Sequence, residues 1–192
     1  MPMTASIHRI SEFNPEDIIS EPGSSVMVVR RHPETGAAVP GYLAWGLIPQ
    51  GADTRPRIPP TNARAETMAE LPMFRGAYRN RRGLVPVDAF REKDARGKRH
   101  TIRRADGELM AIAAIWEIWK NPDSGQWEHT FATVTIAANA MLARLHDRMP
   151  LILEKPDFAR WLGPDEDPRD LLKPSAEDVL VVSPSGKRAR RS

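Results

Sequence analysis

The chain of 192 residues contains no cysteine. That excludes disulfides, cysteine–zinc centres and a thiol nucleophile within these residues. Long apolar runs are missing too. The longest, Met110–Trp116, is far short of the about 18 residues that a membrane helix needs. No basic stretch followed by an apolar one opens the chain, so a secretory signal is not expected and a cytoplasmic setting is. There is no internal repeat, no Gly-rich phosphate loop, no HExxH and no GxSxG, which sets aside the common nucleotide-binding and hydrolase signatures. No metal or cofactor is expected. What is present, 41% hydrophobic and 28% charged residues, suits one globular domain with a real core.

The net charge of +3 conceals a strong asymmetry. Residues 55–104 carry 14 Lys/Arg against 5 Asp/Glu, whereas residues 105–186 carry 7 against 14. The tail Lys187–Ser192 is basic and reads as disordered. A basic block interleaved with Phe74, Tyr78 and Phe90 suits a polyanion-binding face; the alternative is a solvated surface balanced by the acidic C-terminal third.

The 18 prolines break the chain into short elements. Strands are predicted at Val26–Arg30, Tyr42–Ile48, Gly83–Val87, Trp127–Ile136, Leu151–Leu153 and Val179–Val182. Ala105-Asp106-Gly107 predicts a hairpin between His100–Arg104 and Glu108–Trp116. Asn121–Gly125 predicts a turn between that last strand and Trp127–Ile136. Short helices are expected within Met68–Asn80, Ala138–Leu145 and Pro156–Leu162. Together these predict an α+β fold: a curled, barrel-like antiparallel sheet with a few short peripheral helices.

Several residues are equipped for chemistry. His146 stands at the mouth of an apolar strand, where an imidazole can pass protons near neutrality or simply bond to backbone. Asn62 and Arg64 follow a proline-rich loop. They can orient a polar group and clamp a phosphate, or form an Asx turn and a helix cap. Alternation in Asp88–Glu92 puts Asp88, Phe90 and Glu92 on one side; Glu92 becomes a candidate general base if it points inward and is otherwise an exposed, ion-paired carboxylate. Trp45, beside a glycine, packs in the core or stacks a base.

The ordered strings Trp45–Pro49, Asn62-Ala63-Arg64-Ala65-Glu66-Thr67, Arg82–Glu92, Ala114–Glu117, Thr135–Asn139 and His146-Asp147-Arg148-Met149-Pro150 closely resemble the SRAP family, the SOS-response-associated peptidases or abasic-site processing proteins. The resemblance covers roughly residues 25–185. It implies the SRAP fold, with residues 1–186 as a single domain, an N-terminal strand missing or diverged, and the basic tail at 187–192. It also implies binding of single-stranded DNA at abasic sites, self-processing peptidase activity, action as a monomer in the DNA-damage response, and a nucleoid-associated location. In the family, the amine and thiolate of an N-terminal Cys condense with the ring-opened sugar aldehyde to a thiazolidine cross-link. By residue matching, Asn62 holds the N-terminal amine, Glu92 is the acid/base, and His146 assists sugar ring opening. Arg64 and Arg148 contact phosphates, Met73 and Phe74 lie near the DNA path, and Trp45 belongs to the DNA-binding set. This sequence departs from the pattern in lacking the Cys, in carrying Gly83 where the family has another Cys, and in losing the aromatic neighbours of Glu92. Two explanations stand. Either a Cys-bearing strand precedes Met1 and runs into Met3-Thr4-Ala5, or the protein binds DNA without thiol chemistry. A third chemistry is an iminium formed by Pro2, a secondary amine once Met1 is removed.

Overall fold

A computed structural model describes residues 21–164 and 167–185. Pro2, Met3–Ala5 and the tail at 187–192 lie outside the described residues. The core is a sheet of β1 (Ser25–Arg31), β2 (Ala38–Trp45), β3 (Asn62–Arg64), β4 (Arg82–Val87), β7 (Met110–Lys120), β8 (Trp127–Ala137), β9 (Arg148–Pro150) and β10 (Ile152–Leu153). Its order runs β10-β7-β4-β1-β2-β8-β3. A further pairing of β7 with β8 closes β7, β4, β1, β2 and β8 into a five-stranded barrel. A second, three-stranded sheet, β11 (Leu180–Pro184), β6 (Arg99–Arg104) and β5 (Phe90–Lys93), stands beside it.

Pattern explains the division of labour. All six residues of β4 are buried, as are most of β7, as expected for strands covered on both faces. The β7–β8 hairpin turns at Asn121–Gly125, where Asn121 Oδ1 accepts from the Asp123 N–H at 2.9 Å and Gly125 takes a positive φ of 69°. The barrel's last seam is parallel: Ala44 pairs with Thr130 and Trp45 with Phe131. The α+β, barrel-like reading therefore holds, with a parallel closure inside a mostly antiparallel sheet.

Two helices cover β4. The first, α1 (Pro72–Asn80), opens on Pro72. The second, α2 (Phe158–Leu162), buries Phe158 and Trp161. Arg82 ties them together. It is buried, and its guanidinium donates to the carbonyls of Tyr78 (2.8 Å) and Trp161, at the C-terminal ends of both helices, where a cation suits the helix dipole. Trp161 Nε1 donates to the Gly83 carbonyl at 2.9 Å. Gly83 itself has no room for a side chain, since an added Cβ would stand 2.8 Å from Val28 Cγ1. This gives a local reason for glycine at the position where the family resemblance expects a Cys.

Two expectations need correction. Ala105–Gly107 makes a turn but no hairpin, because β6 pairs with β5 and β11 while β7 pairs with β4, β8 and β10. Asp106 serves this crossing locally, bonding Arg104 and the Glu108 N–H (3.0 Å). The helix expected within Ala138–Leu145 reduces to a 3-10 turn at Leu142–Arg144, begun by Asn139 Oδ1 accepting from the Leu142 N–H at 2.9 Å. The helical character read within Met68–Asn80 is present as the α-helix Pro72–Asn80.

Candidate active site and nucleic-acid interface

β3 and β8 run parallel, with Asn62 opposite Thr133 and Arg64 opposite Thr135. Period-2 alternation sends Ala63 into the core and turns Asn62 and Arg64 to the other face. A cleft of about 370 Å³ opens there. Trp45, Asn62, Arg64, Glu92, His146 and Arg148 all line it, joined by Phe90, Arg91, Thr133 and Thr135. Residues from five separate stretches thus converge on one concavity.

Each side chain is held in a defined way. Thr133 Oγ1 donates to Asn62 Oδ1 at 2.6 Å, which fixes the amide plane and leaves its NH₂ group with one long contact, 3.3 Å to Thr61 Oγ1. Trp45 Nε1 donates to the Thr61 carbonyl at 2.9 Å, anchoring a half-buried ring at the cleft wall. Arg148 is clamped bidentately by Glu66 at 2.7 and 2.8 Å and donates to the Thr135 carbonyl at 2.6 Å. That guanidinium holds the Glu66 carboxyl below the usual carboxylate range. Arg64 and Arg91 make no ion pair among the described residues.

The titratable pair is Glu92 and His146. On β5 exposure alternates, with Glu92 and Phe90 turned inward and Arg91 and Lys93 outward. Burial pushes the Glu92 carboxyl up, and the nearby charge of His146 pulls it partly back. A carboxyl raised in this way can carry a proton closer to neutrality, as a general acid/base must. His146 Nδ1 lies 3.0 Å from the Arg148 backbone N–H. The same Nδ1 lies 3.2 Å from the Arg148 carbonyl, so the ring tautomer sets whether it accepts from the N–H or donates to the carbonyl. The ring thus both bonds to backbone and lines the cleft.

Met73 and Phe74 do not join this group. Phe74 is 5% exposed and Met73 packs against the same core, because the apolar face of α1 is drawn onto the barrel. The Phe74 ring is therefore turned away from any stacking partner in solvent. Arg91, Thr133, Thr135 and Glu66 are site residues that residue-by-residue reading passed over. The alternation in Trp127–Ile136 already puts Thr133 and Thr135 on one face, and Glu66 sits inside the Asn62–Thr67 string.

Comparison with known proteins decides the family. The family model described as "SOS response associated peptidase (SRAP)" matches residues 7–189. The chain belongs to the SRAP family. It is 36% identical over 138 residues to the abasic site processing protein YoqW of Bacillus subtilis, covering 69% of this chain and 61% of that protein. It is 30% identical over 167 residues to the abasic site processing protein YedK of Escherichia coli, covering 83% of this chain and 72% of that protein. The chain thus spans about three fifths of the length of the Bacillus SRAP relative. Among solved structures, a protein from Bordetella bronchiseptica superposes with a TM-score of 0.76 at 29% identity, over 94% of this chain and 95% of that one. One from Bacteroides thetaiotaomicron gives 0.74 at 25% identity, over 83% and 73%. Among the described residues of this SRAP chain, no helix is long and apolar enough to cross a membrane.

Proposed function

We propose that the cleft receives an abasic site in single-stranded DNA, and that the protein shields the lesion by covalent attachment as part of the DNA-damage (SOS) response. The observation that carries this reading is the convergence of Asn62, Glu92 and His146 with Arg64 and Arg148 on one cleft. The relatives' names, abasic site processing proteins, support it. Arg64 and Arg148 meet the flanking phosphates. His146 exchanges a proton with the sugar ring oxygen, so that the ring opens to an aldehyde. A neutral amine held near Asn62 adds to that aldehyde. Glu92 in its protonated form then donates to the departing hydroxyl, water leaves and an imine remains. In a chain led by Cys, its thiolate adds to the imine carbon, the nitrogen takes up a proton and a thiazolidine closes; without that Cys the reaction stops at the imine, and the same carboxyl serves self-processing and reversal. The same reading takes the protein to act as a monomer associated with the nucleoid.

The second reading, single-stranded DNA binding without catalysis, is favoured by one observation: no sulfur nucleophile exists within the 192 residues. Denaturing gels with single-stranded DNA carrying one abasic site separate the two. The 192-residue chain should give no heat-stable adduct, whereas a chain extended to begin with Cys after Met removal should give one. Glu92→Gln should slow that adduct by about 10²–10⁴-fold while leaving DNA affinity nearly unchanged. Failure of the Cys-led chain to react would hand the function to the non-catalytic reading. An adduct from the 192-residue chain that disappears in Pro2→Gly would assign the chemistry to Pro2.

A further inference from the structure

The fold commits part of the basic block 55–104 to structure and leaves the rest, with Arg57, Arg64, Arg75 and Arg79 scattered outside the hairpin described next, exposed and without an ion pair among the described residues. Arg55, Arg81, Arg103 and Arg104 are paired with Glu128, Glu117, Asp88 and Asp106, and Arg82 is turned inward onto helix-end carbonyls. These cations are committed to structure. Arg91, Lys93, Arg96, Lys98 and Arg99 are not. All five are exposed, and none makes an ion pair among the described residues. They share the β5–β6 hairpin, whose first strand forms part of the cleft wall at Phe90–Glu92.

Their arrangement is costly for folding alone. Lys93 stands directly opposite Arg99 in the antiparallel register, and Arg91 follows two residues along on the same face. Like charges placed so are destabilising. The acid at the tip is already occupied: Asp94 accepts from the Arg96 and Lys98 N–H groups at 2.9 Å and bonds His100 Nε2 at 3.0 Å. Glu92 is turned the other way, into the cleft. The hairpin therefore presents an uncompensated cationic ribbon that starts at the cleft and runs outward for about 13 Å, at ~3.3 Å per residue from Arg91 to the turn. That length matches two to four nucleotides of backbone.

We propose that this hairpin is a track for the sugar-phosphate backbone of the DNA strand leaving the cleft. It extends the binding surface beyond the phosphates next to the lesion. The proposal rests on the DNA-binding reading above and adds a second, separable contact zone.

The test uses the full chain and single-stranded DNA bearing a non-reactive abasic analogue, as a 5-mer that fills the cleft alone and as a 20-mer that also reaches the hairpin. Binding is measured by fluorescence anisotropy across a salt series. Lys93→Gln/Lys98→Gln removes two charges from the ribbon. Lys120→Glu changes net charge by the same amount at the far end of β7, eight residues and ~26 Å along the strand from the cleft residue Ile112. The double variant should weaken the 20-mer about 5–10-fold and reduce its salt slope by about 1.4, two phosphates at ~0.7 each. The 5-mer should be unaffected, and Lys120→Glu should change neither beyond about 2-fold. Arg96→Gln/Lys98→Gln, confined to the turn, should act as the first pair does. The track is overturned if both double variants bind the 20-mer like the parent, if the 5-mer loses as much, or if Lys120→Glu matches them. Arg64→Ala keeps the two ideas apart. If it weakens both oligonucleotides while the hairpin variants weaken neither, the cleft reading stands without the track. If the parent binds neither oligonucleotide at low salt, both fall.

Discussion

The barrel wall and the small sheet beside it use the same alphabet of strands to opposite ends. In β4 every residue is buried, and its one charged side chain, Arg82, is consumed by carbonyls. In β5 exposure alternates, so one face packs and the other is left to solvent. The carboxylates repeat the contrast. Glu117, on the barrel, and Glu92, on the small sheet, are both raised by burial. Glu117 is answered by Arg81 at 2.8 Å, whereas Glu92 has no ion pair among the described residues and faces the cleft. Burial on both faces leaves a strand no choice but to neutralise its polar groups internally. Burial on one face lets a strand hold an unneutralised acid inward and bare cations outward, which is what a site requires.

Breaking the barrel should cost the most. Trp161 is fully buried and its indole N–H bonds the Gly83 carbonyl. Trp161→Ala should lower stability by about 3–5 kcal/mol, read from the denaturant midpoint, whereas Lys93→Gln on the small sheet should stay within about 0.5 kcal/mol. Gly83→Ala probes the same wall from the opposite direction. The new Cβ meets Val28 Cγ1 at 2.8 Å and the Val29 carbonyl at 3.3 Å, so a loss of about 1–3 kcal/mol is expected. An unchanged midpoint would mean that β1 and β4 can part more easily than their packing indicates.

The smallest effect sharpens the carboxylate contrast. Glu117→Gln weakens a charge-assisted bond to Arg81 and should cost about 1–2 kcal/mol at pH 7. Glu92→Gln should be neutral or raise stability by less than about 1 kcal/mol, solvent screening keeping it small. The sign follows from the raised carboxyl. The folded state holds this proton more tightly than the unfolded chain. Its contribution is therefore favourable at low pH, and it is lost as pH rises from the ordinary carboxylate value through the raised one. The gain from Glu92→Gln should accordingly be seen at pH 7 and vanish near pH 4. A loss at pH 7 equal to that of Glu117→Gln would show that Glu92 is a structural carboxylate.

How much of the site was legible depended on the range of the signal. Asn62, Arg64, Glu92, His146 and Arg148 stood out by residue type and string, and all five line the cleft. Their electrostatic states did not. The clamp of Glu66 on Arg148 joins residues 82 apart, and no local pattern shows that one predicted phosphate ligand is half committed while Arg64 is not. Phe74 read as a neighbour of the DNA path by string matching alone. The helix that carries it presents that ring to the barrel, a placement the string alone does not show.

The sequence by itself determined what local chemistry can determine. The absence of cysteine settled what nucleophile the chain does not contain, turn residues at Asn121–Gly125 set one hairpin, and alternation put Glu92 on the same side as Phe90 without deciding which side is inward. Only the tertiary structure decided the pairings that bring distant faces together. Asp106-Gly107 has the same turn chemistry as a hairpin, yet β6 and β7 part there, because β7 is buried on both sides within the barrel while β6 has a polar face to keep in solvent. The same competition for burial closed the barrel through the parallel β2–β8 seam and left the hairpin cations without ion-pair partners among the described residues. Register and partner choice follow from which faces can be removed from water together, and that is a property of the assembled sheet rather than of any one segment.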